Sequence, residues 1–133
     1  MSEGPVRIGI SCGDLNGIGL EVVLKTFEDP RMVQDLVPVL YCGAKAVSHA
    51  RKAIGGAEQM PINGIASAQE AIPKKLNVVH VWDEDAPMEP GKPSSESARF
   101  AMLSLEAAAQ DLAAGKVDVL VTAPIDKHTM QQA

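Results

Sequence analysis

Two short segments carry the residue types on which small-molecule chemistry depends. The first, Gly13-Asp14-Leu15-Asn16-Gly17-Ile18-Gly19, follows a β-rich run and precedes an apolar-periodic one, so it joins a strand to a helix. At such a junction unpaired backbone N–H groups and the positive end of the helix dipole can face an anion, and glycine lets a phosphate or carboxylate approach the main chain closely. The same residues also suit a tight turn with no ligand. Asp14, beside a helix N-terminus, is stabilised in its charged form, which suits capping or orienting better than general-base work. The second segment, Thr122-Ala123-Pro124-Ile125-Asp126-Lys127, delivers a hydroxyl, a carboxylate and an ammonium at the end of an apolar run. A lysine there can neutralise a phosphate or polarise a developing alkoxide, or it can be a surface lysine at a helix start.

The spacing of the first segment, Gly-x-x-x-Gly-x-Gly, is neither the dinucleotide Gly-x-Gly-x-x-Gly nor a P-loop. An acidic residue about 20 positions on is also missing, since Tyr41-Cys42-Gly43 stands at the end of the next β run. Ordinary Rossmann binding of NAD is therefore disfavoured. Cys12 shares the electropositive setting, which can lower a thiol pKa, but no histidine is near it in sequence, and a small core residue is the expected role. His49, His80 and His128 have no metal-ligand spacing, and His80, alternating with Val79 and Val81, reads as packed or edge-facing. Asp83-Glu84-Asp85 can take a hard cation, but beside Pro87 and Pro90 it reads as a solvated loop.

The composition narrows the field. With 133 residues, 46% hydrophobic and 22% charged, the chain suffices for one globular domain and little more. Twelve Lys+Arg against 17 Asp+Glu gives a net charge of −5, which supplies no basic field for nucleic acid or an anionic membrane surface. Four aromatics (Phe27, Tyr41, Trp82, Phe100) cannot build a base-stacking platform. No apolar stretch approaches the roughly 20 residues of a membrane span, and the start lacks a signal-peptide layout, so a cytoplasmic protein is expected. Cys12 and Cys42 make no Cys-x-x-Cys pair and are expected to be reduced thiols.

These segments need elements to position them. Val6 to Ser11 reads as a strand. Leu20, Val23, Leu24 and Phe27 form one helical stripe ended by Asp29-Pro30. Leu36 to Cys42 is a second strand, with Pro38 expected at its start or on a sheet edge. Ala44 to Ile54 is a helix stopped by Gly55-Gly56. A brief strand is expected at Met60 to Ile62, a helical turn at Ala66 to Ile72 and a strand at Asn77 to Trp82. A long helix begins at Ser94 or Ser95, bears its stripe on Ala98, Ala101, Leu105, Ala108 and Leu112, and ends at Gly115. Val117 to Val121 reads as a buried strand, with another helix starting at His128. This alternation predicts an α/β fold with a mostly parallel sheet and helices on both faces, whose ligands lie outside the carboxyl ends of the strands.

Taken together, Ile10-Ser-Cys-Gly-Asp-Leu-Asn-Gly-Ile-Gly-Leu-Glu21 and Pro90-Gly-Lys to Thr122-Ala-Pro-Ile-Asp-Lys127 resemble the 4-hydroxythreonine-4-phosphate dehydrogenase family of vitamin B6 biosynthesis. That family reads Gly-Asp-Pro-x-Gly-Ile-Gly-Pro-Glu and Thr-Ala-Pro-Ile-Asn-Lys. Here Leu15 and Leu20 replace the prolines and Asp126 the asparagine, departures that bear on substrate preference. The resemblance implies an isocitrate/isopropylmalate dehydrogenase-like fold, incomplete in this chain, a homodimer, and NAD bound without the Rossmann fingerprint. It also implies oxidation of a secondary alcohol on a phosphorylated substrate, assisted by a divalent metal (Zn, Mg, Mn or Co), followed by decarboxylation. Family members run to well over twice this length, and their metal-binding histidines and substrate-contacting Gly-His-Thr lie beyond Ala133. Residues 1–133 are thus expected to be the N-terminal part of a two-domain dehydrogenase, inert alone and without metal ligands. Within them Lys127 is the expected catalytic residue, and Gly13, Asp14, Gly17, Gly19, Thr122 and Asp126 are expected to bind substrate. Alternatives are a dehydrogenase of threonate or erythronate phosphate, a non-catalytic phosphate-binding module, and a structural fragment whose sheet edge pairs with the rest of the polypeptide.

Overall fold

The computed structural model describes residues 5–13, 19–54, 61–82 and 95–122. Along the chain these form β1 (Val6–Ser11), α1 (Gly19–Glu28), β2 (Leu36–Cys42), α2 (Ala44–Ile54), β3 (Ile62–Ile65), β4 (Leu76–His80), α3 (Ser95–Ala113) and β5 (Val119–Thr122). Short 3-10 turns occupy Pro30–Val33 and Ala68–Glu70. The strands make one five-stranded sheet in the order β3-β4-β2-β1-β5, and every neighbouring pair is parallel.

The pleat divides the core into two layers, because successive side chains leave a strand on opposite faces. On one face Ile10, Leu40, Cys42, Leu76 and Val78 meet the stripes of α1 (Leu20, Val23, Leu24) and α2 (Ala46, Val47, Ala50). On the other, Val37, Val39, Tyr41 and Val79 pack with Ala108 of α3, Val117 and Ala68. Each fully buried leucine, such as Leu20, Leu24 or Leu40, contributes roughly 1.5–3 kcal/mol by leaving water. Trp82 and Phe100 close the first layer, with ring centroids 4.8 Å apart and planes tilted by 47°. Beyond α1, the Asp29 carboxylate accepts from the Arg31 backbone N–H and pairs with its guanidinium at 2.8 Å, which lowers the carboxyl pKa; the pair is exposed and adds little stability.

Four expectations are corrected. Pro38 lies in a central strand, between β1 and β4, not on a sheet edge. Pairing of β2 with β4 begins only at Val39↔Asn77, and the Pro38 carbonyl accepts from the Asn77 side chain. The ring nitrogen faces that same side, so no ladder bond is lost. The third strand occupies Ile62–Ile65, later than Met60 to Ile62, because it follows the register Ile62↔Leu76 to Ile65↔Val79. In α3 the buried stripe passes through Ser104 rather than Leu105, and Leu112 is exposed. Finally, β5 is not buried on both faces: it is the last strand of the sheet, and Val119 and Val121 are 44% and 51% exposed. They share the face of Ile8 and Ile10 by register, beyond the cover of α1 and α2.

Candidate functional site

The topology reverses at β1. The chain leaves β1 through α1 to β2 on one side, whereas β5 returns by way of α3 to the other side. Such a reversal opens a crevice outside the carboxyl ends of the two strands, where open α/β sheets bind ligands. Here those strands are β1 and β5, and their last residues, Ser11 and Thr122, are register partners. The carboxyl ends of β1 and β5 therefore lie side by side.

Of the expected site residues, Gly13, Gly19 and Thr122 are placed. Gly13 follows two residues after β1 with φ 71°, a left-handed conformation that costs a side-chain-bearing residue about 1–2 kcal/mol. That turn directs the chain toward α1, which Gly19 and Leu20 open as buried residues. Thr122 is exposed on the neighbouring strand end. Asp14, Gly17, Asp126 and Lys127 lie outside the described residues, as do His128 and Asp83-Glu84-Asp85.

The exit of β1 is fixed from behind by a residue that the apolar pattern of α3 conceals. Ser104 is fully buried; its Oγ accepts the Cys12 N–H at 2.9 Å and donates to the Tyr41 carbonyl. One hydroxyl thus ties the ends of β1 and β2 to α3 immediately before Gly13. The sequence signal was its i+3 and i−4 spacing from the buried Ala101 and Ala108, which places a polar residue on the stripe. A buried serine at such a position needs backbone partners, and it has two.

Cys12 and Cys42 are both fully buried thiols, and the Cys12 Sγ lies 3.5 Å from the Gly13 carbonyl. A hydrogen bond with Cys12, reinforced by burial, pushes the Cys42 thiol pKa well up. This environment suits core packing rather than nucleophilic attack. Tyr41, also fully buried, has its hydroxyl pKa raised by burial and by donating to the Asp111 carboxylate at 2.6 Å, a contact that anchors the C-terminal part of α3. His49 is exposed on α2; His80 is exposed at the end of β4, with Gly64 of β3 beneath its ring. Among the described residues no group of three or more His, Cys, Asp and Glu side chains could hold a metal ion. No described helix is long and apolar enough to cross a membrane.

Comparison with known proteins gives this geometry a family. The model of "Pyridoxal phosphate biosynthetic protein PdxA" matches residues 34–133. A 4-hydroxythreonine-4-phosphate dehydrogenase from Bacteroides thetaiotaomicron is 41% identical over 131 residues, covering 98% of this chain and 35% of the relative. One from Prosthecochloris aestuarii is 31% identical, covering 91% of this chain and 37% of the relative. The crystal structure of a 4-hydroxythreonine-4-phosphate dehydrogenase from Burkholderia phymatum superposes with a TM-score of 0.82 at 26% identity, over 97% of this chain and 39% of that one. The chain thus spans little more than a third of the length of the proteins it matches, and its parallel sheet is the incomplete part of an α/β dehydrogenase fold. By sequence and by fold, this chain belongs to the PdxA family of pyridoxal phosphate biosynthetic proteins.

Proposed function

We propose that residues 1–133 form the N-terminal part of a two-domain, NAD-dependent dehydrogenase acting on 4-phosphooxy-threonine. The reaction oxidises the substrate's secondary alcohol by hydride transfer to NAD, and the resulting β-keto acid loses carbon dioxide to leave 3-amino-2-oxopropyl phosphate. A divalent metal, held by residues outside this chain, supplies Lewis-acid stabilisation of negative charge on the substrate oxygen. The protein is proposed to work as a cytoplasmic homodimer, and the 133-residue chain to be inert by itself.

The observation that supports this reading is the Ser11↔Thr122 pairing, which puts the strand ends that lead into the two chemistry-bearing segments next to each other at the reversal of strand order. In this scheme the Gly13–Gly19 connector cradles an anionic part of the substrate with backbone N–H groups, Asp14 orients that connector, and Thr122 and Asp126 contact substrate polar groups. Lys127, five residues past Thr122 in sequence, contributes positive charge near the reacting centre.

Lys127→Ala in the full-length protein should lower turnover or raise the substrate KM at least tenfold, a loss of about 1.4 kcal/mol of transition-state stabilisation. Steady-state NADH formation from 4-phosphooxy-threonine, compared with threonate and erythronate 4-phosphates, measures this and ranks the substrates together. Unchanged kinetics would make Lys127 a surface lysine. Preference for the sugar-acid phosphates would move the substrate to that class, and phosphate-ester binding without NAD reduction would leave only a binding module.

A further inference from the structure

Among the described residues, two buried side-chain polar atoms have no hydrogen-bond partner, Ser11 Oγ and Trp82 Nε1. Trp82 Nε1 lies against the Gly43 backbone, within the packing of the indole. Ser11 is different, because it is the last residue of β1, it is 1% exposed, and it stands where the functional reading puts a ligand. Its neighbours Ile10 and Cys12 belong to the α1/α2 layer, so the pleat sends the Ser11 side chain to the opposite face. Gly9, on that same face, looks toward Val117 and Tyr41. The register with Thr122 then sets two hydroxyl-bearing residues next to each other on one face of adjacent strand ends, about 4.8 Å apart.

Leaving a buried hydroxyl unpaired forfeits the hydrogen bonds it makes with water in the unfolded chain. Ser104 on α3, which holds the N–H of the next residue, Cys12, shows that this fold satisfies a buried hydroxyl where it serves structure alone, with two backbone partners. Ser11 has none, although the backbone on either side of it is held in place by the β-ladders to β2 and β5. The unpaired hydroxyl thus sits on a strand end whose backbone the sheet holds in place.

We infer that Ser11 Oγ is a substrate-binding group, paired with an oxygen of the phosphorylated substrate and acting with Thr122 as a two-hydroxyl clamp at the β1/β5 rim. The inference rests on the functional reading above and deepens it by assigning a specific contact.

The test separates a binding hydroxyl from a structural one, since the two respond in opposite ways to deletion. In the full-length protein, Ser11→Ala should raise KM for the phosphorylated substrate, or lower kcat/KM, at least tenfold. The ligand-free Tm should stay level or rise, because an unpaired buried hydroxyl has been removed. Ser11→Thr, which keeps the hydroxyl, should retain kcat/KM within about threefold. Kinetics of Ser11→Ala within twofold of wild type would overturn the inference and mark the hydroxyl's partner as an internal water. A lowered ligand-free Tm that Ser11→Thr does not restore, with or without a kinetic loss, would equally overturn it by making Ser11 structural. Wild-type protein that neither binds nor turns over the phosphorylated substrates would instead defeat the functional reading itself.

Discussion

Asn77→Ala should lower the unfolding free energy by about 3–5 kcal/mol, the largest single effect expected in this chain. The Asn77 side chain is fully buried and uses all of its hydrogen-bonding capacity. Its two amide N–H groups are shared among the carbonyls of Pro38, Ile72 and Lys75, and its oxygen accepts from Ile72 N–H and the Asn63 side chain. One residue thus ties the start of β4 to β2, β3 and the preceding loop, and supplies the donor that faces Pro38 on β2. Alanine would leave the buried Pro38 carbonyl and several part-buried backbone groups without this partner at once. Asn77→Asp is no remedy, because a carboxylate cannot donate to the three carbonyls. Urea unfolding followed by circular dichroism measures the loss. An unfolding free energy within about 0.5 kcal/mol of wild type would show that water or a shifted loop replaces the amide.

Gly43→Ala should cost about 1–3 kcal/mol or more through overpacking, with a change in the tryptophan signal. Gly43 lies between β2 and α2 with the Trp82 indole pressed on its backbone. An added Cβ would meet the indole nitrogen and stand 2.7 Å and 2.8 Å from ring atoms Cε2 and Cδ1. A rigid, buried ring cannot yield as a flexible side-chain end would. It would have to leave its place beside Phe100, loosening the contact between β4, α2 and the start of α3. Trp82 is the only tryptophan, so its emission should shift to the red as the unfolding midpoint falls. Unchanged emission with an unchanged midpoint would mean that the helix start moves instead.

Much of the architecture was legible because local pattern and tertiary environment agree. The α1 stripe at Leu20, Val23 and Leu24 is buried as its spacing requires, and the strand at Val6–Ser11 and helix at Ala44–Ile54 have the expected bounds. What could not be read were properties of the sheet as a whole. Pro38 is acceptable in a central strand only because β4 begins pairing at the following residue, and the apolar run ending in β5 reads as doubly buried although its strand is last in the order. Ser104 and Asn77 stayed hidden for a related reason. Each is a polar residue at a core position that bonds backbone distant along the chain, Cys12 and Tyr41 for Ser104 and Pro38 for Asn77. The candidate site was half legible: the residue types of the glycine-rich and Thr122–Lys127 segments suggest a chemistry locally, but the adjacency of the strand ends that lead into them depends on a strand order that sequence does not state.

That adjacency is the central claim, and amide hydrogen exchange of the full-length protein, with and without its phosphorylated substrate, tests it directly. If both connectors hold one ligand, peptides covering residues 11–19 and 120–127 should gain protection together on substrate addition, and α2 and β3 should be unchanged. Protection confined to one of the two connectors, or appearing in neither while substrate is bound and turned over, would contradict the account.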